Sequence, residues 1–147
     1  PRRLRLIYDQ NAQTAFMAGR YNAMMEATET HPYWEYVAVL DSRTRPEHRA
    51  MAGLIFRHDD PFWSVAYPPN GWRCRCRVRP VSEAAMAASG RSTRSAAGYI
   101  HSANVPLYGG GSVQVQRITL PGEKPFQPDP GWDYNPAANF PVLRKTA

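Results

Sequence analysis

The residues best suited to chemistry are two cysteines one position apart, Cys74 and Cys76, and the histidine His48 upstream of them. Thiolate sulfur and imidazole nitrogen are the ligands that tetrahedral Zn²⁺ prefers. On an extended strand, positions 74 and 76 share a face, so both sulfurs could meet one ion. His48 would arrive from a separate element, and His58 is a candidate fourth ligand. A second paired half, usual in a zinc module, is missing, and a C-x-C alone does not specify a metal. Two buried free thiols facing the core are the leading alternative, and an oxidised Cys74–Cys76 pair is a further one.

A second constellation is polar: Asp41, Arg43, Thr44, His48, Asp59 and Asp60. His48 with Asp41 or Asp59 as its partner, and Arg43 on the developing charge, could run acid–base hydrolysis as a nuclease or other hydrolase. The same residues could staple loops, Asp41 capping backbone amides and Arg43 pairing with Asp59 or Asp60. A small domain with long loops needs such staples, which favours the structural reading. Arg73, Arg75, Arg77 and Arg79 form a third set, on the face opposite the cysteines. Four cations in a row suit a phosphate track. They equally suit a solvated strand face, or an edge strand protected by charge. Gly109-Gly110-Gly111 lacks the Lys and Ser/Thr of a phosphate loop. Neither a nucleophile elbow nor a zincin helix motif is present.

These residues must be positioned by a chain of 147 residues, the size of one domain. With 43% hydrophobic and 20% charged residues it can bury a core. No run reaches the roughly 18 apolar residues of a membrane span, so no membrane partner is expected. Pro1–Asp9 turns polar too soon for a signal-peptide core. A start at Pro1 without Met suggests a fragment or a processed product. Of 18 basic residues 16 are Arg, the exceptions being Lys124 and Lys145, and the net charge is +6. That balance suits a polyanion or an acidic protein surface, although a GC-rich genome would also favour Arg.

The pattern predicts an α+β fold: a long N-terminal helix packed on a small sheet of short strands, with an extended Pro-rich C-terminal tail. The helix is expected over 4–30, ended by Pro32. Strands are expected at 34–40, 54–57, 73–80 and 113–120. Thr44 is expected to cap a short helix running from Pro46 to about Met51 and stopping at Gly53. His58 to Trp63 reads as a loop with an aromatic anchor, and Ser82 caps a helix to Ala87. Residues 89–98 are small and polar and read as mobile. Residues 1–120 form the expected domain and 121–147 an arm without a regular ladder, anchored by Phe126, Trp132, Tyr134 and Phe140.

Three stretches follow one another in an unusual order: Asp41-Ser42-Arg43-Thr44-Arg45-Pro46-Glu47-His48 with Gly53, then Asp59-Asp60-Pro61-Phe62-Trp63, then Pro68-Pro69-Asn70-Gly71-Trp72-Arg73-Cys74-Arg75-Cys76. Together they resemble the Mu-type phage head morphogenesis family, the minor head or F-protein domain. Tyr8-Asp9-Gln10-Asn11 with Ala15, Gly19 and Arg20 resembles that family's leading helix, and Trp132-Asp133-Tyr134-Asn135-Pro136 its closing segment. The resemblance makes Asp41, Arg43, Thr44, His48, Gly53, Asp60, Pro68, Pro69, Cys74 and Cys76 the motif core. It implies a virion component of few copies, assembled in the host cytoplasm. Its expected partners are the portal or major capsid protein, with DNA a further candidate during packaging. Some relatives carry a CxxC where this chain has Arg45 and His48, and a His where it has Gly71, and look zinc-binding. His48, Cys74 and Cys76 are what this chain retains of that pattern. The family domain also accompanies toxin domains, which keeps a toxin-like hydrolase as the alternative.

Overall fold

The computed structural model describes residues 2–139. Its first element is helix α1, Arg2–Glu26, free of internal proline. Gln10, Thr14, Met17, Ala18 and Met24 are its buried positions. They recur at three- and four-residue steps, so one stripe of the helix faces the core. The helix ends four residues earlier than expected. Turn bonds from the amides of Ala27, Thr30 and His31 close it off before Pro32.

A three-stranded antiparallel sheet, ordered β2-β1-β3, carries the motif region. Its central strand β1 spans Tyr33–Val37, shorter than the expected 34–40. After Val37 the chain turns, and the Val39 carbonyl accepts from the Asp41 amide and the Thr44 hydroxyl. Helix α2, Pro46–Ala50, then leads to β2, Ile55–Arg57. Thr44 does not cap α2: the N-cap is Arg45, with no side-chain bond. Gly53, at φ +85°, returns the chain to the sheet, its amide donating to the Tyr36 carbonyl.

Phe62 and Trp63, read from the sequence as the end of a loop, open helix α3, Phe62–Ala66. The Asp60 carboxylate accepts from the Phe62 amide at 2.9 Å and nucleates that turn. The helix drives Phe62 and Trp63 into the core, with Phe62 stacked on Phe56 at 3.9 Å. Strand β3 is Arg77–Val81 rather than 73–80. Arg73 sits at φ +59° and the Cys74 amide bonds back to Gly71, so 71–76 is a turn and a bend. Pro80 is tolerated because β3 is a sheet edge.

Ser82 caps α4, Glu83–Ser89, accepting from the Ala85 amide, and Gly90 ends the helix in the left-handed region. The following segment is not a loose linker. The Arg94 amide bonds to the Ile55 carbonyl, the Ala96 amide to Asp60, and Ala96 is fully buried. A hairpin follows, β4 at Ile100–Pro106 and β5 at Ser112–Ile118, joined through Gly109-Gly110-Gly111. Strand β4 has no counterpart in the sequence reading. Within residues 121–139 the chain lies against the body through Phe126 and a 3₁₀ turn. Phe126 exchanges two backbone hydrogen bonds with Ile118, each 2.8 Å, and its ring is fully buried. Trp132 is buried and Tyr134 half-buried, and a 3₁₀ turn at Pro136–Asn139 packs on α1. Phe140 lies outside the described residues.

Candidate functional site

His48 occupies the third position of α2, whose first turn Pro46 pre-sets. Its side chain points inward and is 3% exposed. The Nδ1 atom lies 3.6 Å from Cys74 Sγ and 3.5 Å from Cys76 Sγ. Alternation thus places both sulfurs inward although β3 begins only at Arg77. The bend at 71–76 keeps Cys74 and Cys76 buried and Arg73, Arg75 and Arg77 outside. Both cysteines are free thiols. The three ligand atoms lie within 4.8 Å of one another, so these are the residues that could hold a metal. His58 does not join them. Its Nδ1 faces the Pro32 carbonyl at 3.1 Å, beside Trp34.

The two thiols differ. A hydrogen bond from the Cys76 thiol holds Cys74 well below the usual thiol range, helped by His48 and the Asn70 amide against the opposing effect of burial. Cys76 is pushed up, first by that same bond and then by burial. The Tyr36 hydroxyl also bonds to Cys76 and itself accepts from Asn70 Nδ2 at 3.1 Å. Asn70 is completely buried, and its Oδ1 has no hydrogen-bond partner among the described residues. It follows the cis bond between Pro68 and Pro69, both also buried.

The polar constellation separates into independent groups. Asp41 takes Arg75 bidentately, at 2.7 and 2.6 Å, and accepts from the Arg43 amide at 3.0 Å. The Arg75 hydrogen bonds hold its carboxyl well below the usual carboxylate range. Arg43 was expected to reach Asp59 or Asp60, but its guanidinium lies 3.6 Å from Asp41. Asp59 pairs with Arg57 in a different cleft, beside His58. Asp60 accepts from the amides of Phe62 and Ala96. Neither Asp41 nor Asp59 hydrogen-bonds His48 among the described residues. The arginine row also divides. Arg75 is held by Asp41 and Arg79 by Glu35, leaving Arg73 and Arg77 outside the ion pairs among the described residues.

Several site residues lie beyond the sequence reading. Gln13 donates to the Cys74 carbonyl, and Gln10 accepts from the Arg73 amide at 2.8 Å. Two glutamines on the buried stripe of a helix were the available signal. Phe126 sets its ring edge against His48, centroids 5.6 Å apart. Asp129 pairs with Arg45 at 3.0 Å, and its amide bonds to the Asn70 carbonyl. Arg45 also donates to the Trp72 carbonyl, and Trp72 meets Trp132 edge to face. Gly71 makes this latch possible. A Cβ there would stand 2.5 Å from Arg45 Nη1 and still closer to the Asp129 carboxylate. Glu35, 6% exposed, is held by Arg79 and Arg91, whose hydrogen bonds outweigh the burial that pushes its pKa up. Outside the latch a cleft of about 630 Å³ is lined by Arg43, Arg45, Arg73, Arg75 and the three inward residues. At Gln13 and Arg73 it adjoins a second cleft lined by Arg2 and Arg5.

No described helix is long and apolar enough to cross a membrane. No solved structure matches the chain. It is 43% identical over 143 residues to the "Putative capsid assembly protein F" of Escherichia phage Mu, covering 94% of this chain and 33% of that protein. It is 52% identical over 98 residues to the Mu-like prophage FluMu F protein of Haemophilus influenzae, covering 67% of this chain and 24% of that protein. The chain therefore spans a third or less of the length of these relatives. Residues 1–79 match the family model described as Phage Mu protein F like protein, and they hold α1, the inward His48, Cys74 and Cys76, and the Asp41 staple: the chain belongs to the phage Mu F-like family.

Proposed function

We propose that this chain is a structural segment of a phage head assembly protein, a virion component put together in the host cytoplasm. In this reading it links head components, the portal or major capsid protein, with DNA as a further contact. Similarity to the capsid assembly protein F of phage Mu supports the assembly role. The observation that carries the structural reading over a hydrolase is the bonding of Asp41. Both its oxygens are engaged by Arg75, and the Arg43 amide adds a third bond. A carboxylate held this way is a loop staple rather than a base waiting for a proton. His48 turns its Nδ1 to two sulfurs and its other face to Phe126 and Arg45, so among the described residues no carboxylate orients it. The arginine-lined cleft supplies the contact surface for an acidic partner, and Asp129 and Trp132 of the arm hold its rim residues Arg45 and Trp72.

The test is a phage whose protein carries Arg45→Ala or Asp129→Ala in this segment. Both changes break the latch at the cleft; Asp129→Ala does so without touching His48, Cys74 or Cys76, whereas Arg45→Ala also removes the contact to His48 Nε2. The expected result is fewer intact, DNA-filled heads at an unchanged level of soluble protein. Normal head yield with both substitutions would overturn the proposal that this face serves assembly. Cross-linking from the cleft arginines should reach portal or capsid protein in head preparations, and its failure to reach either removes those partners.

A further inference from the structure

We propose that His48, Cys74 and Cys76 are the three chain ligands of a Zn²⁺ ion whose fourth position faces the arginine-lined cleft. The argument begins with distances. Zinc binds sulfur at about 2.3 Å and imidazole nitrogen at about 2.0–2.1 Å, so one edge of a tetrahedral site measures about 3.6 Å from sulfur to nitrogen. The two edges here are 3.6 and 3.5 Å. His48 Nδ1 and both sulfurs therefore already stand at the corners of one face of such a tetrahedron. The third edge, between the sulfurs, lies within the 4.8 Å that bounds the group.

Charge and softness agree with the geometry. Binding the ion releases the Cys76 proton to solvent, and two thiolates with a neutral imidazole then balance a divalent ion, so a buried centre carries no net charge. A sulfur-rich set selects zinc over magnesium or calcium, which take oxygen ligands. All three side chains are buried, and the groups behind them are neutral donors. The Asn70 amide and the Tyr36 hydroxyl reach the sulfurs, the kind of outer support that fixes metal ligands in place. At the ring's far side stands Arg45, whose Nη1 lies 3.4 Å from His48 Nε2. A guanidinium only donates, so this contact uses Nε2 as an acceptor and places the ring proton on Nδ1. A metal on Nδ1 moves that proton to Nε2 and removes the Arg45 contact. Arg45 keeps its bonds to Asp129 and the Trp72 carbonyl, so the arm stays latched.

The fourth corner belongs to no residue of the chain among those described. His58 is held at the Pro32 carbonyl, and the three ligands line the cleft. Solvent water, or an anion drawn in by Arg43, Arg45 and Arg75, therefore completes the coordination. Three chain ligands with one exchangeable position separate this centre from a closed structural zinc site.

The experiment is elemental analysis of the chain purified under reductant without chelator, followed by Co²⁺ substitution and visible spectroscopy. The expected result is one zinc per chain, and for cobalt an intense tetrahedral spectrum with a sulfur-to-metal band. Cys76→Ser and His48→Ala should each lose at least nine-tenths of the metal, while His58→Ala keeps it all. Far-UV circular dichroism of each variant, and zinc titration of the chelator-stripped wild type, separate lost ligation from lost folding. Added azide or a small thiol should shift the cobalt bands, because the fourth position exchanges. Absence of metal together with no cobalt spectrum on titration would overturn the site. Full metal content in both Cys76→Ser and His48→Ala would overturn the ligand assignment. Cobalt bands indifferent to every added ligand would overturn the open fourth position.

Discussion

Phe126→Ala measures whether the arm is part of the core. The ring is fully buried and sits between Tyr36 and His48, with centroid distances of 6.3 and 5.6 Å. Removing a buried phenylalanine side chain costs about 3–5 kcal/mol, the amount depending on how far the surroundings collapse into the cavity. Collapse is restricted here. Tyr36 is tied to Asn70, His48 to the two sulfurs, and Ile118 is fixed by its two hydrogen bonds to residue 126 itself. The upper half of the range applies, about 4 kcal/mol. A domain of this length is stabilised by about 5–15 kcal/mol, so the variant still folds, with about 1–11 kcal/mol left. At about 2–4 °C per kcal/mol for a chain this long, the melting temperature should fall by about 8–16 °C. Urea unfolding followed by tryptophan fluorescence reads this directly, with the m-value unchanged. Tyr108→Ala, a fully exposed hairpin residue, is the control and should stay within about 0.5 kcal/mol. A loss below about 1 kcal/mol for Phe126→Ala would refute the reasoning, because the ring would then not be carrying core packing.

Three further outcomes follow from the same contacts. Glu35 has a folded pKa below its usual 4.5, so its contribution is complete above that value and is lost as pH falls through the folded pKa. Asp41 behaves likewise from 3.8 downward. The urea midpoint should therefore drop on acidification below about pH 4.5, with a shallower drop in Glu35→Gln; a flat profile, or the same slope in that variant, contradicts the pairing. Asp129→Ala should cost about 1 kcal/mol for a half-exposed charge pair, Gly71→Ala more because it opens the latch and also strains an alanine at φ +157°, and the double variant little more than Gly71→Ala alone. Full additivity would mean that Gly71 serves something other than the latch. Asp60→Ala leaves the Phe62 and Ala96 amides without their acceptor and should cost about 1–3 kcal/mol. Hydrogen exchange should then speed up across residues 94–98, and unchanged protection there would remove Asp60 as their anchor.

The legible parts were those written in local pattern. Alternation at 74–78 correctly separated the inward Cys74, Cys76 and Val78 from the outward arginines, because burial alternates even where no ladder forms. Ligand chemistry singled out His48 with the two cysteines before any coordinates. The misreadings came from side chains acting over distance. Residues 89–98 have linker composition, yet Asp60 and the Arg91–Glu35 and Arg94–Glu123 pairs hold them down. Strand β4 escaped notice because His101 and Ser102 and the proline at its end suggest no apolar face, and its register comes from β5. Arg75 and Arg79 looked like a free phosphate track until Asp41 and Glu35 were seen to bind them. The latch joins Arg45 to Asp129 across most of the chain, and no local signal marks such a pair.

The central claim is that this chain is a building element of the phage head. Quantitative mass spectrometry of purified heads and of assembly intermediates tests it most directly. The account predicts peptides spanning Asp41 to Arg77 at a fixed, low ratio to the major capsid protein in one or both particles. Their absence from finished heads and intermediates alike would contradict it.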